Sequence, residues 1–253
     1  MPPVVPLLNI EVHSLSFGEA LDCIRSGTVY TPNVDHLRLL QRSRPFYEAY
    51  REAGWRLCDS RILLWASRML GTPLQDQIAG SDFLPAYVRR HPDRRYALLG
   101  GTTPEAAAQA RAALNRLAGR EAVVAAWSPP FGFEQDAEQL ARCIGWLRAQ
   151  HADVVAVGLG APKQELLIAR IRQALPEVQL WIAAGAAIDF QGGYQRRAPA
   201  WMTRAGLEWA YRLAHDPLRL ARRYLWHDLP VLGLLALQRM GRYRNPWPEA
   251  PKP

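Results

Sequence analysis

Asp59 closes the apolar run Trp55 to Cys58, so a strand there would deliver a carboxylate able to take a proton from a hydroxyl. Further on, Gly158-Leu159-Gly160-Ala161-Pro162-Lys163-Gln164-Glu165 reads as a glycine-rich turn between a strand and a helix, with Pro162 pre-set for a first-turn position. The free N–H groups of such a turn can cradle a phosphate. Gly100-Gly101-Thr102-Thr103-Pro104-Glu105 repeats the form, and Thr31, Asn33, Asp35 and His36 make a third polar cluster. The chemistry on offer is proton abstraction beside a bound anion.

Each cluster also has a plainer reading. Asp59 suits the N-cap of a helix starting near Ser60, the 100–105 turn suits a tight turn plus a capped helix, and the 31–36 cluster suits simple capping. Gly158 to Lys163 is no dinucleotide fingerprint, because Lys163 stands where G-x-G-x-x-G needs its third glycine, and it is no P-loop. Glu134-Gln135-Asp136-Ala137-Glu138 opens a helix, where acids favour the macrodipole. With no D-x-D pair, no H-E-x-x-H and no ligand spacing among the histidines, we expect no metal site and no cofactor.

Charge is unevenly spread. Ten arginines and only three acids lie between Arg196 and Arg244, so this stretch holds nearly all of the chain's formal +8. Its tryptophans, among them Trp201, Trp209 and Trp226, alternate with arginine, which fits an anion, an anionic surface, or both. The apolar run Leu229 to Leu237 falls well short of the roughly 20 residues of a spanning helix. It suits equally a helix lying in a membrane interface and one closing a core or a dimer contact.

The elements that must position these residues follow from periodicity. Leu8 to Val12, Thr28 to Thr31, Trp55 to Cys58, Tyr96 to Leu99, Ala122 to Ala126, Val154 to Val157 and Leu180 to Ala183 read as strands, each followed by a turn and a helical stretch. Ser16 and Glu19 form a capping box, and Gly71 ends the helix of Ile62 to Leu70. The alternation predicts an α/β fold: a Rossmann-like, mostly parallel sheet with helices on both faces, plus a basic helical C-terminal appendage. We place the catalytic domain at 1–195 and the appendage, as lid and membrane contact, at 196–253. In such sheets ligands bind beyond the carboxyl ends of the strands, at Thr31 to Asp35, Asp59, Gly100 to Thr103, Gly158 to Glu165 and Gly185 to Gly193. The three scattered cysteines suit a reducing compartment, and Met1 to Pro6 has no leader character, so a cytoplasmic protein is expected.

In order, Thr31-Pro32-Asn33-Val34-Asp35-His36, Cys58-Asp59-Ser60, Ala79-Gly80-Ser81-Asp82, Leu99-Gly100-Gly101, the Gly158 to Glu165 turn and the tail from Gly185 to Arg212 resemble the WecG/TagA/CpsF family of glycosyltransferases. The resemblance covers nearly the whole chain. It implies an inverting, metal-independent enzyme that moves a sugar (N-acetylmannosamine, its uronic acid, or glucose) from a UDP donor to a polyprenyl-diphosphate-linked sugar, peripheral on the inner face of the cell membrane. It makes Asp59 the general base and sets Thr31, Asn33 and Gln164 in the pocket, with Asp189 near the nucleotide. Arg212, Arg219 and Arg222 would fold over the site and meet the diphosphate. Gln77, Gly80, Asp82, Gly100, Gly160, Lys163 and Glu165 complete the expected substrate-binding set. One departure is Gln77, which stands where many members carry arginine two residues ahead of the Ala79-Gly80 pair. The implied partners are the two substrates and an anionic membrane surface, with no nucleic acid and a homo-oligomer left open. On residues alone, a nucleotide-cofactor oxidoreductase and a basic nucleic-acid-binding protein, suggested by the pI of about 9.8, are the rivals.

Overall fold

The computed structural model describes residues 2–195, 202 and 229–247. A two-stranded antiparallel hairpin, β1 (Val4–Leu7) and β2 (Ile10–His13), precedes helix α1 (Phe17–Cys23). A strand over Leu8 to Val12 was expected. Instead the chain reverses at Leu8-Asn9, with Leu8 in the left-handed region at φ 54, so the apolar run is shared between two strands. The capping box at α1 is present, with Ser16 and Glu19 bonded reciprocally.

Then come β3 (Gly27–Tyr30), α2 (Val34–Arg42), α3 (Arg44–Arg51), β4 (Trp55–Arg56), α4 (Arg61–Met69), α5 (Gly80–Arg90), β5 (Tyr96–Gly100), α6 (Pro104–Ala118) and β6 (Val123–Trp127). The chain continues through α7 (Ala137–Ala149), β7 (Val154–Gly158), α8 (Lys163–Ile171), β8 (Leu180–Ala183), α9 (Ala187–Gln191) and α10 (Leu229–Arg239). Strands β3 to β8 form one sheet in the order β4-β3-β8-β7-β5-β6, every pair parallel.

Strand side chains alternate between two cores, as a sheet covered on both faces requires. Ala97, Leu99, Val155, Val157, Trp181 and Ala183 pack against α2, α3, α4, α7 and α8. Tyr96, Leu98, Val154, Ala156, Leu180 and Ile182 pack against α1, α5, α6 and α9. The expected α/β fold, a parallel sheet with helices on both faces, is the observed one, while the basic stretch from Arg196 to Asp228 lies, Met202 apart, outside the described residues.

Helix α10 joins the first of these cores, with Val231 and Leu235 buried in it. The helix is pinned to the hairpin by Leu8 N, which donates to Gln238 Oε1 at 2.8 Å, and the segment after it to α2 by Trp247 Nε1, which donates to Leu40 O at 2.8 Å. Of the two readings of Leu229 to Leu237, core closure describes Val231 and Leu235, while Leu232 and Leu237 stay exposed. Among the described residues no helix is long and apolar enough to cross a membrane.

Candidate active site

Strands β5 and β7 lie side by side, but α6 leaves β5 toward one face and α8 leaves β7 toward the other. The chain parts there, as at the switch point of doubly wound sheets, and a cleft of about 430 Å³ opens. Its walls are Gly101 and Thr102 after β5, Ser128 to Glu134 after β6, Gly158 to Gly160 and Lys163 after β7, and Gly185, Ala186, Asp189 and Gln195 after β8.

The floor needs backbone without side chains. Gly100 sits at φ 132, and a Cβ on it would collide with the carbonyl oxygen of Gly158. The Asp189 carboxylate, almost fully buried, accepts from the N–H of Thr102 at 2.7 Å, strapping the turn after β5 to α9. Among the described residues the cleft's cation is Lys163, whose Nζ stands 3.4 Å from Glu134 Oε1 and 3.7 Å from the centre of the Phe131 ring. Phe131 is 95% exposed at the mouth. An entering phosphate would compete with Glu134 for Lys163. Pro162, behind a cis Ala161–Pro162 bond, occupies the N-cap of α8 rather than its first turn.

A second group gathers at the ends of β3 and β4. Asp59 donates its N–H to Pro32 O at 3.0 Å, and Ile78 donates to Cys58 O at 2.6 Å, so the segments around 32, 59 and 78 are tied together. The expected N-cap role for Asp59 is corrected: Ser60 holds the N-cap of α4 and its side chain makes no capping bond. Strand β4 ends at Arg56, so Cys58 and Asp59 lie in the loop before α4 begins at Arg61. Asp59 stays partly exposed, two strand positions from β8, or roughly 10 Å at ordinary inter-strand spacing.

Thr31 is buried at the end of β3 against Gly80: a Cβ on Gly80 would lie 3.1 Å from Thr31 Oγ1 and 3.4 Å from Ala183 O. The glycine therefore lets the first turn of α5 rest directly on the ends of β3 and β8. Asp82 lies in that turn, where a carboxylate suits the helix dipole, and Gln77 just before it is partly buried, its N–H bonded to Asp76. Asn33 caps α2 through its side chain, accepting from His36 N. His36 itself faces the core, with Nδ1 2.6 Å from Tyr50 Oη.

Between the two groups lies a buried polar joint. Gln164 Oε1 accepts from Gly185 N at 3.0 Å, and its Nε2 donates to Glu165 Oε1 at 2.8 Å. Tyr30 Oη donates to the main-chain oxygen of Glu165 at 3.0 Å. Glu165 is fully buried and its Oε2 has no hydrogen-bond partner among the described residues. Burial pushes its carboxyl up from 4.5 to about 7, only partly offset by the Gln164 hydrogen bond. Below about pH 7 the carboxyl is therefore mostly in its neutral form, which a buried site favours.

The structure thus brings Gly160, Lys163 and Asp189 to the cleft, with Gly100 beneath it, and gathers Asp59, Thr31, Gly80, Gln77, Asn33 and Asp82 beside it. Gln164 and Glu165 lie between, buried, and do not line the cleft. Arg212, Arg219 and Arg222 lie outside the described residues. Sequence reasoning missed the wall Ser128 to Glu134. The rule that selected the other turns would have found it, because Ser128-Pro129-Pro130 follows directly on β6. Among the described residues no three His, Cys, Asp or Glu side chains group as a metal ion would require. The sequence model of the glycosyl transferase WecG/TagA/CpsF family matches residues 5–245, which takes in both halves of this edge and α10.

Proposed function

This chain belongs to the glycosyl transferase WecG/TagA/CpsF family, and from that premise we propose an inverting, metal-independent transfer of a hexosyl group from a UDP donor to a polyprenyl-diphosphate-linked sugar. The donor sugar is N-acetylmannosamine, its uronic acid or glucose, and the product is a lipid-linked precursor of a surface polysaccharide, teichoic acid or exopolysaccharide. The reading rests on one observation. A cleft floored by glycine backbone and a partly exposed carboxylate, Asp59, share the carboxyl edge of one sheet, a few strand widths apart.

In the proposed reaction the donor diphosphate lies in the cleft, against Lys163 and the turns around Gly101 and Gly160. The acceptor hydroxyl approaches the anomeric carbon from the Asp59 side. Asp59 takes the hydroxyl proton as the new C–O bond forms, the bond to the diphosphate breaks, and UDP departs with the electron pair. Attack opposite the leaving group inverts the anomeric centre. A positioned base contributes about 10²- to 10⁴-fold. Charge on the departing UDP is met by Lys163, the first turn of α5, and Arg212, Arg219 and Arg222. We assign lid and membrane contact to the basic stretch from Arg196 to Asp228, since residues 229–247 pack with the α/β body.

The test is a panel of UDP-sugars offered to the purified protein with a short-chain prenyl-diphosphate-linked sugar, reading UDP release and the anomeric configuration of the product. Transfer with inversion from one donor is expected. No transfer from any UDP-sugar, or retention of configuration, overturns the reading. Ala at Arg212, Arg219 or Arg222 should lower turnover if these arginines meet the diphosphate.

A further inference from the structure

An acceptor whose tail lies in a bilayer can reach Asp59 only if the surface beside Asp59 can abut that bilayer. Helix α4 begins two residues after Asp59. Its inner side is ordinary core, with Leu63 and Ala66 buried. Its outer side is not an ordinary surface: Ile62 is 39% exposed, Trp65 55% and Met69 65%. These positions are spaced three and four apart, so the three side chains form one stripe along the helix. The helix carries no acid, while Arg61 stands at its start and an exposed Arg68 beside Met69.

A tryptophan with apolar neighbours and flanking arginines is the composition of a surface that settles into headgroups. The ring and the aliphatic chains enter the acyl boundary, while guanidinium groups meet lipid phosphate. We propose that the Ile62-Trp65-Met69 face of α4 docks on an anionic lipid bilayer and so brings the lipid-linked acceptor to Asp59. This rests on the glycosyl-transfer reading above. It adds a docking surface distinct from the basic segment after Arg196, because its grip is apolar and salt screens it little.

The test compares the full chain with the Trp65→Ser/Met69→Ser double variant on vesicles of phosphatidylcholine and phosphatidylglycerol in about 0.5 M salt, where the purely electrostatic pull of the basic segment is screened. Both side chains are exposed, so thermal stability should be unchanged. Vesicle partitioning should fall about tenfold or more. Transfer to a long-chain acceptor embedded in vesicles should fall with it, while transfer to a short-chain soluble acceptor stays at the wild-type rate. Equal partitioning and equal long-chain transfer by the two proteins would overturn the proposal and leave the transfer reading intact. A variant that instead turns a dimer into a monomer, with vesicle binding unchanged, would assign the face to a second copy and also overturn it. If neither protein transfers sugar to either acceptor, the transfer reading fails, and the partitioning measurement still decides whether α4 is a lipid surface.

Discussion

The two halves of the sheet's carboxyl edge are built from different materials. Over β5, β7 and β8 the described residues offer backbone: Gly101, Gly158, Gly160 and Gly185, with Gly100 beneath them, plus Lys163 and a buried aspartate acting as a strap. Over β3 and β4 it offers side chains on segments tied to one another at Pro32, Asp59 and Ile78. A backbone-lined cleft suits a ligand recognised through phosphate oxygens, because N–H groups at turns and helix starts need no side chain. A partly exposed carboxylate among tethered loops suits proton transfer, which requires a fixed atom in reach of the reacting hydroxyl. On the proposed reading the contrast separates binding from chemistry along one edge, and that separation can be attacked from either side.

The largest effect should come from the chemistry half. Asp59→Asn should lower turnover at least about 10²-fold while leaving UDP affinity, read by titration calorimetry, unchanged. Near-wild-type turnover, or loss of UDP binding, would erase the division.

At the joint between the halves, Glu165 makes a pH prediction. Its carboxyl is raised from 4.5 to about 7 in the folded protein, so between those values the folded state holds a proton that the unfolded chain has lost. Stability therefore falls as pH rises through that window, by on the order of 3 kcal/mol at most for a shift of this size. Glu165→Gln removes this dependence, so its denaturation midpoint relative to wild type should climb from pH 5 to pH 8. Parallel pH profiles for the two proteins would show that Glu165 is not held neutral.

In the binding half, Gly100→Ala forces a methyl into the Gly158 carbonyl, and should cost about 1–3 kcal/mol of stability by overpacking while raising the donor KM. A donor KM left at the wild-type value would show that the floor of the cleft does not touch the nucleotide. Lys163→Ala should raise the donor KM by a smaller factor, because Glu134 already occupies part of the lysine's charge. At the bottom of the scale, excess EDTA should leave activity unchanged. A strict requirement for Mg²⁺ would place a metal-holding carboxylate in the cleft, with Asp189 the first to inspect.

Much of this was legible in the residues. All seven expected strands appear within a residue or two, because local alternation and glycine or proline punctuation mark them. What escaped was β1 ahead of the Leu8 to Val12 strand, because a two-residue turn can hide inside an apolar run when its turning residue is a leucine at positive φ. The clusters around Asp59 and Gly158 were visible as residue types at strand ends. Their spacing along one edge was not, since it depends on strand order. Asp59 follows β4 and Lys163 follows β7, and only the order β4-β3-β8-β7-β5-β6 sets them on one edge with two strands between.

By itself the sequence determined the alternating elements, the turns that lack side chains, the placement of charge, and the family through motifs spread along the chain. Tertiary structure alone decided that the cleft opens between β5 and β7, that Ser128 to Glu134 walls it, and that Gln164 and Glu165 turn inward as a buried joint. It also decided that Val231 and Leu235 close a core instead of meeting lipid. The physical reason is range: periodicity and turn chemistry act over a few residues and leave their mark in the string of letters. Burial and pairing are set by which distant segments arrive beside them, as Gly185 does beside Gln164 and the first hairpin beside Gln238.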